Sequence, residues 1–110
     1  MNFNEYQAET DKTALFPREN GMDILYPVLG LCGESGEVAE KVKKIFRDSN
    51  GVITEEVRQA IKKELGDVMW YISQSCRAFG FTMEEVAISN IKKLEERQKK
   101  NTINGSGDNR

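Results

Sequence analysis

From about residue 23 onward, apolar side chains recur at three- and four-residue spacing, the period of one helix face. Leu25, Val28, Leu29, Cys32, Ala39, Val42 and Phe46 form the first such run. It predicts a helix starting near Asp23 to Tyr26 and reaching about Arg47, with Pro27 tolerated in its first turn. Asp48-Ser49-Asn50-Gly51 closes it with turn-forming residues. A second run, Val57, Ile61, Leu65, Val68, Ile72 and Phe79, is opened by Thr54 as a cap, has acids in its first turn, and stops at Gly80. A third run, through Val86, Ile88, Ile91 and Leu94 to about Lys99, begins with the capping box Thr82 to Glu85. Ahead of these, residues 4 to 14 predict a shorter helix capped by Asn4, which Phe16-Pro17 breaks. No stretch reads as a strand. The expected architecture is all-α, with about four helices in one domain over residues 1–100, and a polar tail over 101–110 that is flexible by composition.

Two of the predicted helices carry carboxylates three residues apart, a spacing that puts both on one face. These are Glu34 with Glu37, and Glu64 with Asp67. At ~100° per residue, Glu34, Glu37 and Lys41 share a face bordering the apolar arc of the first long helix, and Glu64 and Asp67 border that of the second. Acids at the edge of a core are partly desolvated, and like charges brought together there need a cation among them. A hard divalent ion such as Mg²⁺ suits four carboxylates, and Mg²⁺ held in this way usually also meets phosphate. Gly30, Gly33 and Gly36 interrupt the first helix at about 0.5–1 kcal/mol each relative to alanine. Close approach of another backbone or a bulky ligand is the expected compensation, and Gly66 repeats the hint. The competing reading is that such pairs, common among 18 acids in 110 residues, are simply solvated.

Composition narrows the chemistry. The chain has no histidine, which removes the commonest general base and zinc ligand. A net charge of −2 argues against nucleic-acid binding by overall charge. No apolar run approaches the roughly 20 residues of a membrane span, and the polar start carries no signal core, so a cytoplasmic protein is expected. Cys32 and Cys76 sit within apolar patterns and read as reduced core residues. Phe16, Trp70 and Tyr71 have the spacing of core or interface aromatics, ahead of a base-stacking role.

Glu34-x-x-Glu37, 26 intervening residues, then Glu64-x-x-Asp67 resembles the signature of the MazG-like, all-α nucleoside triphosphate pyrophosphohydrolases. The surrounding Gly30-Leu31-Cys32-Gly33 and Leu65-Gly66 fit that pattern. So do the block Asn90 to Arg97 and the ending Gly105 to Arg110. The resemblance implies that Glu34, Glu37, Glu64 and Asp67 bind Mg²⁺ and carry catalysis, with water attacking the α-phosphorus to give a nucleoside monophosphate and pyrophosphate. It implies Asn90, Lys93 and Arg97 as ligands for the triphosphate. Lys41 is a further candidate, or else a partner of Glu37 four residues away, and Arg110 with Asp108 could fold over a phosphate. A homodimer or homotetramer is implied, and the wide apolar arcs point the same way. The substrate alternatives are a dUTP- or dCTP-directed enzyme and a phosphoribosyl-ATP pyrophosphohydrolase. The alternative of another class is a non-catalytic helical dimerisation module.

Overall fold

In the computed structural model, which describes residues 1–109, the chain forms four helices and no strand among those residues. They are α1 (Phe3–Asp11), α2 (Met22–Asp48), α3 (Glu55–Ala78) and α4 (Met83–Lys99). The all-α expectation is met. The caps expected of α3 and α4 are present: Thr54 Oγ1 accepts from the Val57 amide at 3.2 Å, and Thr82 and Glu85 form a reciprocal capping box.

Three boundary details differ from expectation. Asn2, not Asn4, caps α1, accepting from the Glu5 amide at 2.8 Å, while the Asn4 side chain donates across to Glu84 on α4. α1 also stops at Asp11, short of Ala14. α2 begins at Met22 after a left-handed Asn20-Gly21 pair, so Pro27 lies beyond the first turn and is buried inside the helix. Its ring removes one helical hydrogen bond, a cost offset by burial.

α2 and α3 pack as a long hairpin, and α2 touches no other helix among the described residues. α1 and α4 pack on α3 and on each other. The α1–α3 seam is polar. Thr10 and Ser73 share a hydroxyl hydrogen bond of 2.7 Å, and the buried Gln74 Nε2 donates to Thr10 Oγ1 and Asp11 Oδ1, both at 3.0 Å. Gln7 ties α1 to α4, donating to the Phe81 carbonyl and accepting from the Met83 amide.

The buried apolar core is small: Ala14, Ile45, Cys76 and Met83. Leu25, Leu29 and Phe46 on α2, Leu65 on α3, and Ile88 and Ile91 on α4 stay exposed. The radius of gyration is 16.9 Å, against about 13 Å for a compact chain of this length. Cys76 is buried and Cys32 exposed, both as free thiols. The core reading of Cys32 is therefore corrected: its side chain lies on an exposed part of α2.

Candidate active site

The hairpin brings the two carboxylate motifs together. One oxygen from each of Glu34 on α2 and Glu64 and Asp67 on α3 lie within 4.8 Å of one another. Glu34 and Glu64 are partly buried and Asp67 is exposed. Glu37, one turn beyond Glu34, is exposed and lies outside this trio. The Glu34 carboxyl is pushed above its ordinary value, first by burial, then by a hydrogen bond to Glu64, then by repulsion from Asp67, Glu64 and Glu37. Crowding of this kind favours the protonated form of an acid, and a cation among the oxygens would relieve it. Lys41 Nζ lies 3.6 Å from Glu64 Oε1, so its acidic partner is on α3, not Glu37 on its own helix.

Aromatic side chains adjoin the acids. A cavity of about 310 Å³ is lined by Thr13, Glu34, Asp67, Trp70 and Tyr71. Trp70 Nε1 donates to Thr13 Oγ1 at 2.8 Å and packs edge-on to Tyr71, with ring centroids 5.0 Å apart. Phe16 stacks on Tyr26 at 4.6 Å and meets Trp70 at 6.3 Å, with the Arg18 guanidinium over its outer face. Burial raises the Tyr71 phenol, with Tyr26, Glu34 and Asp67 adding to the effect, and burial followed by Asp67 raises that of Tyr6. Both phenols therefore stay protonated hydrogen-bond donors beside the acids.

Gly30 explains part of this wall. A Cβ at this position would overlap the Tyr71 ring, so the close approach expected at the helix glycines is a side chain lying on the α2 backbone. Gly33, Gly36 and Gly66 face open space.

The basic residues of α4 lie elsewhere. Asn90 and Lys93 line a separate cavity of about 510 Å³ with Phe81, Glu85, Val86 and Ser89. Arg97 is buried, and both Lys93 and Arg97 pair with Asp108 of the tail, at 3.0 and 3.1 Å. α4 makes no packing contact with α2 among the described residues. Within one subunit, then, the hairpin unites Glu34, Glu64 and Asp67 with Lys41 nearby, and it does not add the α4 residues to them. Arg110 lies outside the described residues. The spacing of the acids could not reveal Thr13 and Tyr6, because α1 and the loop after it reach the site only through tertiary packing, nor Tyr26, which reaches it through its ring contact with Tyr71 on α3.

An all-α hairpin that gathers carboxylates from two helices defines a class of acid-clustered helical proteins suited to a metal and a phosphate ester or anhydride. The MazG nucleotide pyrophosphohydrolase domain model matches residues 25–102, and the chain belongs to that family. It is also similar to the Gene 37 protein of Mycobacterium phage L5, at 43% identity over 114 residues and 100% of both chains. No solved structure matches it.

Proposed function

We propose that this protein hydrolyses nucleoside triphosphates, deoxynucleotides foremost, at the α-phosphorus to a nucleoside monophosphate and pyrophosphate. The carrying observation is the convergence of Glu34, Glu64 and Asp67 beside an aromatic-lined cavity in a chain of the MazG family. The donor set fits a hard cation: it is all oxygen, it crosses two helices, and burial followed by crowding already raises one carboxyl. Glu34, Glu64 and Asp67 would hold Mg²⁺, with Glu37 completing the set from the next turn. Bound there, the ion supplies charge stabilisation to phosphate oxygens and acidifies water.

The chain's own groups do the rest. A carboxylate of the cluster takes the proton of the attacking water as its oxygen bonds to phosphorus, and the bridging oxygen leaves with pyrophosphate. The protonated Tyr71 and Tyr6 phenols offer donors at the edge of the acids. Trp70, fixed by Thr13, offers an aromatic wall to the nucleoside. Lys41, beside Glu64, would offer its ammonium to phosphate oxygens.

A second copy of the chain would cover the exposed apolar residues of α2 and α4, and would bring Asn90 and Lys93 towards a partner's acids. Among the described residues no helix is long and apolar enough to cross a membrane, and a role in control of the nucleotide pool would place the protein in the cytoplasm. Pyrophosphate release with Mg²⁺ across a panel of ribo- and deoxynucleoside triphosphates tests the activity. Turnover that depends on the metal supports it. No turnover with any nucleotide, together with no thermal stabilisation by Mg²⁺, would leave a helical assembly protein instead.

A further inference from the structure

The C-terminal segment is not a loose tail. At the end of α4, Asn101 takes a left-handed backbone (φ 56°), and the Thr102 amide bonds back to the Arg97 carbonyl at 2.8 Å while the Asn101 amide bonds to Gln98 at 3.1 Å. This pattern ends a helix and reverses the chain, and asparagine is one of the few residues that adopts it readily. The segment therefore returns along α4. Arg97 Nη2 donates to the carbonyls of Gly107 and Asp108, at 3.4 and 3.2 Å, and to Asp108 Oδ1 at 3.1 Å. Lys93 Nζ donates to the same carboxylate oxygen at 3.0 Å.

The exposures are unequal. The Asp108 side chain is 80% exposed and that of Arg97 only 6%. The anion thus faces solvent and the cation lies behind it. Arg97 Nε has no hydrogen-bond partner among the described residues, so this buried guanidinium retains unused donor capacity. Lys93 in turn borders the cavity it shares with Ser89 and Asn90.

Resting on the reading of Lys93 and Arg97 as polyphosphate ligands, we propose that the C-terminal segment is a built-in anion mask. The Asp108 carboxylate occupies the place on Lys93 and Arg97 that a polyphosphate oxygen takes, and the segment lifts when the polyphosphate binds. The anion of this cluster, 80% exposed, competes with water for its partners, which leaves it able to exchange. A polyphosphate carries more charge and more acceptor oxygens than one carboxylate, so it competes effectively for a fork-shaped donor and an ammonium held side by side.

The test is calorimetric binding of inorganic tripolyphosphate to the full chain with no divalent cation present. Asp108→Asn is expected to tighten binding about three- to tenfold. Asp108→Glu restores wild-type affinity, and Lys93→Gln weakens binding in either background. Glu9→Gln, which removes the same charge from an exposed position on α1, controls for net charge and leaves affinity at the wild-type value. Unchanged or weaker binding in Asp108→Asn overturns the mask, weaker binding meaning that Asp108 positions the cations for the ligand. An equal gain from Glu9→Gln overturns it too. Because the readout needs neither metal nor turnover, a failed nucleotide panel would sink the enzymatic reading without touching this result.

Discussion

The two charged regions of this molecule are built on opposite plans. Where α2 meets α3, three carboxylates crowd together, with Lys41 lying 3.6 Å from Glu64. At the end of α4, two cations share an anion supplied by the chain itself. The first region carries uncompensated charge and favours an incoming cation. The second is already neutralised, and an incoming anion must displace something. Clusters of either sign thus differ less in their residues than in whether the fold provides the counter-charge.

The largest expected effect tests the first plan. Glu64→Ala or Asp67→Ala should lower pyrophosphate release by at least about a hundredfold while leaving helicity by circular dichroism unchanged. Wild-type rates in either variant would show that the crowded acids are not the metal site. Glu37→Ala sharpens the same point: a comparable loss places the exposed Glu37 in the cation's shell, and a small one leaves the trio sufficient.

Next in size is the wall beside the acids. Gly30→Ala puts a Cβ into the Tyr71 ring and should destabilise the fold by about 1–3 kcal/mol in chemical denaturation. Gly33→Ala meets open space and should gain about 0.5–1 kcal/mol from helix propensity. A loss at Gly33 instead would locate a second copy of the chain against that face.

A smaller effect is the pH dependence of the acid cluster. The Glu34 carboxyl sits above its ordinary 4.5 in the folded chain. The folded state therefore binds its proton more tightly than the unfolded chain does, and metal-free stability falls as pH rises from that value through the raised one. Thermal melts across this range should show the fall, Glu34→Gln should remove it, and Mg²⁺ should flatten it. The smallest effect lies at the other region, with the opposite sign. Lys93, then Arg97, hold the Asp108 carboxyl below its ordinary 3.8. Its contribution is complete above that value and disappears only as pH falls through the lowered one, so limited proteolysis of the C-terminal segment should accelerate in strong acid.

Much of this was legible in the residues. The periodicity of α2, α3 and α4 and the caps at Thr54 and Thr82 are local signals, and local signals survive folding. The acids at positions 34, 64 and 67 were legible because three-residue spacing fixes a face whatever the helix packs on. Cys32 was misread because an apolar arc says what a side chain prefers, and not whether one subunit can cover it. The return of residues 101–109 was invisible in a composition of Asn, Gly and Ser. It depends on one left-handed backbone at Asn101 and a buried Arg97 that no periodicity announces. Thr13, Tyr6 and Tyr26 reach the acids only through the docking of α1 and the aromatic contacts of α2.

That docking has a consequence of its own. An interface made of interchangeable methyl groups can slide by a turn at modest cost, whereas Gln74, Thr10 and Ser73 are hydrogen-bonded in only one alignment. Sliding α1 along α3 would take the Gln74 amide and the Ser73 hydroxyl, both buried, away from their partners on α1, at about 1–3 kcal/mol for each group. The seam therefore works as an indexing pin. It sets where α1 ends, and so where Thr13 enters the cavity and where Phe16 meets Trp70. The loop from residue 12 to 20 can then change its side chains, and with them one wall of the cavity, without shifting the frame that holds the acids.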